Sequence, residues 1–299
     1  MKHKISMLLP IYNEEKFLSY SLENTIPSVD EVIIIDGSPW GVSTDNSLNI
    51  IDDFHHKYPN KIKYFSGTFA LPVENSDEIG DGAWDESAQR NLGLSKVSGD
   101  ILMPHCGDMI YAETDMLKMI EAMERFPDAK IIYCPFVEFW IDQKHIRLYT
   151  DSCLESCLPV CANSDVNFLS MDIVVGYFDG SKGMQIMPYT WQDFLYVPYA
   201  FRYHYGWVSG FDREVEKHIR AMILGCWEET FKEVKEGGER HIAAWAIKHT
   251  LSYPDIPCAF PYCGEVPIAK EFSYDDRKDE TLAMYEEKYG KQFWEEYNL

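Results

Sequence analysis

"ILMPHCGDMIY", residues 101–111, starts as a buried strand and runs out into a histidine, a thiol, a glycine and a carboxylate. Its first residues are apolar without alternation, as in a strand covered on both faces. Other strand signals finish the same way. "KISMLLPIY" (4–12) stops at Asn13, and "EVIIIDGS" (31–38) carries Asp36 near its end. Helix signals separate the strands. "EEKFLSYSLENTI" (14–26) spaces Phe17, Leu18, Leu22 and Ile26 helically, with acidic residues in its first turn. "STDNSLNIIDDFHHKY" (43–58) offers capping residues and turns Leu48, Ile51 and Phe54 inward.

The alternation continues. "KIKYFSGTF" (61–69) reads as the third strand, "DESAQRNLGLSKV" (85–97) as a helix and "ETDMLKMIEAMERF" (113–126) as another. "AKIIYCPFVEFW" (129–140) reads as a fifth strand. Alternating, almost wholly apolar strands predict a mostly parallel α/β sheet flanked by helices. Ligands of such sheets bind outside the carboxyl ends of the strands, so Asn13, Asp36 and Asp108 are expected around one crevice.

After about residue 145 the pattern loosens. "LYVPYAFRYHYGWV" (195–208) reads as an aromatic strand. Segments 212–234 and 238–251 read as helices, and 280–299 as an acidic amphipathic tail helix. Without a low-complexity linker, residues 1–140 and 141–299 are expected to form two halves packed as one body.

Composition narrows the function. Of 299 residues, 49 are Asp or Glu and 27 are Lys or Arg, a formal net charge of −22. Such a field repels nucleic acid and anionic membranes. A phosphate-bearing ligand then needs a local cation, metal or side chain. No apolar run is long enough to span a bilayer, and no signal-peptide cleavage pattern follows the start, so a soluble, cytoplasmic protein is expected. The eight cysteines form no CxxC pair and read as reduced thiols. Cys153, Cys157 and Cys161 recur every four residues, but Pro159 interrupts them and no fourth metal ligand follows.

The crevice lacks the glycine cradles of dinucleotide and triphosphate sites, since neither GxGxxG nor GxxxxGK[ST] occurs. It offers an aromatic ring, Tyr12, and two carboxylates, Asp36 and Asp108. A ring and a carboxylate can hold a nucleobase by stacking and by accepting its N–H. A second carboxylate can hold a divalent cation that bridges a diphosphate.

In their order, "ISMLLPIYNEEKFLSYSLENTI", "DEVIIIDGS", "STDNS" and "AQRNLGLSKVSGDILMPHCGD" resemble the landmarks of family 2 glycosyltransferases with the GT-A fold, a Rossmann-like mostly parallel sheet, over residues 4 to about 140. The resemblance implies a nucleotide-diphosphate sugar donor, a divalent metal (Mn²⁺ or Mg²⁺) and inverting transfer to an acceptor hydroxyl. That acceptor is a glycan, a lipid-linked molecule or a small molecule. Pro10, Tyr12, Asn13 and Glu14 match the first-strand motif, with the aromatic stacking on the base. Asp36 matches the carboxylate that reads the base, although Ile35 replaces its usual acidic neighbour. Arg90 and Asn91 match the helix that approaches the donor. "HCGD" stands where the family has Asp-x-Asp, with Cys106 in the first position and Asp108 in the second. A neutral thiol is a poor ligand for hard cations. "YHYGWV" (203–208) resembles a late His-x-Gly-Trp element, and His204 would complete the metal site. His105, one residue off the Asp108 face in an extended strand, is expected to point elsewhere.

Inverting transfer needs a general base. Glu138, Asp172, Asp179 and Glu239 are the candidates, and Glu138 ranks first because it follows the fifth strand beside Trp140, which could stack on a sugar. Trp84, Asp85 and Glu86 read as a helix start. Two other readings fit the same residues. One is a degenerate relative that binds a nucleotide or glycan without turnover, suggested by Cys106. The other is a nucleotidyltransferase, disfavoured because "PIYNEEKF" has no glycine- and lysine-rich phosphate loop.

Overall fold

The computed structural model describes residues 4–69, 87–126, 129, 131–147, 156–157, 166–167, 176–179, 183–186, 194–224, 237–252, 259–264 and 266–299. The chain divides into two compact units. The first comprises Met1–Glu74, Asp85–Val137 and Tyr149–His204. The second comprises Asn75–Trp84, Glu138–Leu148 and Tyr205–Leu299. The described residues between 156 and 204 group with the first unit.

The first unit is built on a parallel sheet. β1 (Ile5–Ile11), β2 (Glu31–Ser38), β3 (Ile62–Thr68) and β4 (Ile101–Pro104) lie in the order β3-β2-β1-β4. Every residue of β1, β2 and β4 is buried, which is why these strands read as unbroken apolar runs. β3, at the edge, buries Ile62 and then alternates half-buried and exposed positions. Met7, Leu9 and Ile11 share one core with Leu18 and Leu22 of α1 (Leu18–Thr25). Ile51 and Phe54 of α2 (Ser47–Lys57) join it, as do Met116, Met119 and Met123 of α4 (Glu113–Arg125). Leu8 and Ile35 point the other way, toward α3 (Ser87–Leu94). There Gly93 lets the helix approach: a Cβ at that position would stand 2.1 Å from Leu8 Cδ1. Helices on both faces of a parallel sheet make the fold α/β, as expected.

The expected fifth strand is two strands, β6 (Ile131–Tyr133) and β7 (Phe136–Trp140). Pro135 between them has no N–H to donate to a ladder. Neither extends the parallel sheet. β6 pairs instead with β13 (Phe194–Tyr196), the first part of the expected aromatic strand. The second part, β14 (Arg202–Trp207), follows a turn, and its first residues pair antiparallel with β5 (Met109–Tyr111) directly after "HCGD". Between them in sequence come β9 (Ser156–Cys157) and an antiparallel group of β10 (Val166–Asn167), β11 (Gly176–Asp179) and β12 (Gly183–Ile186).

In the second unit the end of β7 pairs antiparallel with β8 (Asp142–Arg147), across a bulge and a one-residue link at Ile141 with φ 70°. β8 also pairs with β15 (Ala259–Pro261). Trp140, Phe211, Val215, Ala246, Ile247, Tyr274 and Phe293 form this unit's core. α5 spans Phe211–Leu224, and a further helix spans Glu239–Leu251. The expected single tail helix is two, Lys278–Tyr289 and Gln292–Tyr297, separated at Gly290 with φ 84°. Among the described residues no helix is long and apolar enough to cross a membrane.

Candidate functional site

The tips of β1 and β2 are stitched together by side chains. Asn13 turns the chain out of β1 with φ 56°, a left-handed conformation that asparagine tolerates. Its N–H donates to Ser43 Oγ at 2.8 Å, and its Oδ1 accepts from the Thr44 N–H at 2.8 Å. Ser43 in turn donates its hydroxyl to Asp36 Oδ1 at 2.6 Å and its N–H to both carboxylate oxygens at 3.1 Å. The Tyr64 hydroxyl reaches Asp36 Oδ2 at 3.3 Å. Asp36 is wholly buried. Burial pushes its carboxyl above the usual range, while the Ser43 bonds pull the other way. Asp36 was expected to read a base. In this structure its oxygens hold the segment that follows β2.

Sequence reasoning missed Gln89. Its Nε2 donates to Ile11 O at 3.1 Å and to Ile35 O at 2.6 Å, tying β1 to β2 one residue before each tip group. A polar side chain inside an otherwise amphipathic helix, directly before Arg90, was the available signal.

The β4 tip meets the β1 tip at Gly107. A Cβ there would stand 2.6 Å from Glu14 Cγ, so only glycine lets the Glu14 side chain lie across it. Cys106 is half-buried, and Arg90 Nη2 lies 3.9 Å from its sulfur. His105 is buried. Its Nε2 is 2.8 Å from Ser21 Oγ and its ring stacks on Tyr111 with centroids 5.7 Å apart. Burial, aided by the Arg202 charge, lowers its pKa to about 3, so the ring is neutral at pH 7. Asp108 is nearly buried, and its Oδ2 lies 3.6 Å from His204 Nε2, where β14 pairs with β5.

Tyr12, Asn13, Glu14, Asp36, Arg90 and Asp108 thus gather at the carboxyl edge of one parallel sheet. Pro10 lies within β1, buried opposite Ile35, and Asn91 is half-buried on α3. Two donors bound about 2.1 Å from one ion lie roughly 3 to 3.6 Å apart when they occupy adjacent positions. The Asp108–His204 separation fits that range, and the carboxylate suits a hard cation. Among the described residues no group of three or more His, Cys, Asp or Glu side chains could hold a metal by itself, so further ligands would come from a diphosphate and water.

The second unit holds the remaining candidates. Glu138 is buried, and the Trp207 indole N–H donates to its Oε1 at 2.8 Å. Arg147 pairs with Glu138 across the β7–β8 ladder. Trp140 is only 1% exposed. Its ring packs on Trp207 with centroids 5.1 Å apart, and the Arg147 guanidinium lies 4.9 Å over it. Trp140 is therefore part of the core and offers no open face to a sugar, contrary to expectation. Glu239 is exposed and bonded to Lys288 at 2.6 Å. Asp172, Trp84, Asp85, Glu86, Cys153 and Cys161 lie outside the described residues.

No family model matches the chain. Similarity to known proteins comes from shorter alignments. A minor teichoic acid biosynthesis protein, GgaA, of Bacillus subtilis strain 168 is 35% identical over 100 residues, 31% of this chain and 18% of that protein. A poly(ribitol-phosphate) beta-glucosyltransferase of Bacillus spizizenii is 29% identical over 126 residues, 32% of this chain and 19% of that protein. In sequence the chain is thus similar to a teichoic acid biosynthesis protein and a glucosyltransferase, and it spans about a fifth of the length of these relatives. Among solved structures, S. aureus TarS 1-349 in complex with UDP has a TM-score of 0.40 at 14% identity, covering 85% of this chain and 73% of that one. Glucosyl-3-phosphoglycerate synthase from Mycobacterium tuberculosis, with Mn²⁺, UDP and phosphoglyceric acid, has a TM-score of 0.31 at 19% identity, covering 45% and 43%. Structural likeness at this level bears on neither substrate nor chemistry.

Proposed function

We propose that the chain is a glycosyltransferase that moves a sugar from a nucleoside-diphosphate sugar, with uridine as the first nucleoside to test, to an acceptor hydroxyl. The observation that carries the reading is the Asp108–His204 pair at 3.6 Å, on the segment whose Cys106 lies 3.9 Å from Arg90 of α3. The sequence similarity to a glucosyltransferase and a teichoic acid biosynthesis protein supports the class.

Asp108 and His204 would hold a divalent cation, which would supply positive charge to stabilise a leaving diphosphate. Tyr12 gives the base a ring to stack on. Arg90 adds a fixed positive charge in a chain of net charge −22. Cys106, beside Arg90, takes no part in holding the cation. Glu138 is the base that removes the acceptor proton, with the Trp207 N–H fixing its orientation. The transfer inverts the anomeric centre, and a glycan or polyol-phosphate polymer is the acceptor class to test first.

The test is hydrolysis or transfer from labelled UDP-sugars with Mn²⁺ and with EDTA. Asp108→Ala should lose at least about 100-fold in rate, as loss of a metal that stabilises developing charge demands. Full activity in that variant would remove the metal assignment. Nucleotide binding with no turnover of any sugar donor would instead support a binding-only relative.

A further inference from the structure

The segment after β2 presents a tryptophan beside the ring already assigned to the base. Ser38, Pro39, Trp40 and Gly41 form a tight turn. The Ser38 N–H donates to Gly41 O at 2.7 Å, and the Gly41 N–H returns to Ser38 O at 3.2 Å. The Ser38 hydroxyl donates to Gly41 O at 2.9 Å and accepts the Trp40 N–H at 3.1 Å. The root of the turn is fixed too. At Gly37 a Cβ would stand 2.0 Å from Gly67 O, so the chain can leave β2 on this path only with glycine there. Beyond the turn, the Asp36–Ser43 bonds hold the returning segment.

This small, braced turn carries a large apolar side chain that is 44% exposed. The Trp40 ring stands 6.4 Å from the Tyr12 ring, with the planes inclined by 31°. The separation is wide for direct stacking and near what a third ring needs. A planar ring held between two others requires about 7 Å between their centres, given carbon contacts of roughly 3.5 Å on each side. The 6.4 Å separation falls about 0.6 Å short of that width, so the two rings would part slightly to admit a base.

We infer that Trp40 is the second wall of the nucleobase site, clamping the base against Tyr12, and that Asp36 serves this site by positioning the Trp40 turn. The inference rests on the nucleotide-sugar reading above.

The test compares wild type, Trp40→Phe and Trp40→Ala by calorimetric titration with UDP and with inorganic pyrophosphate, each with Mn²⁺. The same UDP titrations are followed by tryptophan emission. Trp40→Ala should bind UDP about ten-fold more weakly, as loss of a base–aromatic stack does. Pyrophosphate binding should be unchanged. Trp40→Phe should keep UDP affinity within about three-fold, since every aromatic face can stack, and should lose most of the UDP-induced emission change. Equal UDP affinity in wild type and Trp40→Ala would overturn the clamp and leave the donor reading standing. An equal loss for pyrophosphate would overturn it as well, because the turn would then be only structural. Wild type that binds none of UDP, GDP, CDP and dTDP would remove the donor reading and the clamp together.

Discussion

Asp36 closes an apolar strand and is sealed from water, yet it is held by three donor groups from two side chains and one backbone position. Ser43 is the hinge of that arrangement, since its hydroxyl donates to Asp36 and accepts from Asn13. Ser43→Ala removes both bonds at once. A hydrogen bond to a charged group contributes about 1.5 to 3 kcal/mol, so the variant should lose roughly 2 kcal/mol by urea unfolding at pH 7. The pH dependence has a definite sign. Burial already raises the Asp36 pKa in the folded state, so ionising the group costs stability as pH rises. The Ser43 bonds favour the ionised form, and their loss raises that pKa further. The destabilisation should therefore be larger at pH 7 than at pH 4. An equal loss at both would mean that Ser43 acts by packing alone. The sequence showed that a carboxylate ends this strand. It could not show that the carboxylate is enclosed, because Tyr64 comes from 28 residues away on the neighbouring strand. The same limit hid the burial of Trp140, whose partners Arg147 and Trp207 are set by strand register.

The elements themselves were legible where period and punctuation agreed. β1 to β4 and α1 to α4 follow from apolar runs alternating with helical spacing. The three elements read too long all contained their own breakers: Pro135, Pro198 and Gly290. Less legible was what pins the amino ends of the strands. Glu31 begins β2 and is 4% exposed. It accepts from the Ser6 hydroxyl at 2.5 Å, the Ser98 N–H and hydroxyl each at 2.6 Å, and Lys63 Nζ at 2.8 Å. One carboxylate thereby joins β1, β2, β3 and the segment before β4. Burial alone would raise its pKa, but the bonds from Lys63, Ser6 and Ser98 together bring it down to about 2. Against the usual 4.5, that shift corresponds to on the order of 3 kcal/mol of stability. A lowered folded-state pKa means the contribution is whole above pH 4.5 and fades as pH falls toward 2. Glu31→Gln should thus be less stable than wild type by roughly 2 to 3 kcal/mol at pH 7, with the gap closing between pH 4.5 and 2. A gap that stays constant down to pH 2 would show that the charge contributes nothing and only the hydrogen-bond shape matters.

At the scale of the whole molecule, a formal charge of −22 stands against an anionic ligand. The two lie on opposite sides of a competition. On the proposed donor reading, the chain's summed field would repel a nucleoside diphosphate, while Arg90, 3.9 Å from Cys106, would attract it. Salt separates the two contributions by range. The screening length shrinks from about 30 Å at 0.01 M to about 10 Å at 0.1 M, which removes distant charges before near ones. In EDTA, UDP should therefore bind several-fold more tightly at 0.1 M than at 0.01 M sodium chloride, the reverse of ordinary electrostatic steering. With saturating Mn²⁺ the ligand's charge is largely neutralised where it binds, and the slope should flatten or change sign. Calorimetric titrations at the two salt concentrations, with and without Mn²⁺, give the four affinities required. If affinity in EDTA falls with added salt, the nearby guanidinium outweighs the whole chain, and the cation's task is confined to the leaving diphosphate and does not extend to admitting the donor.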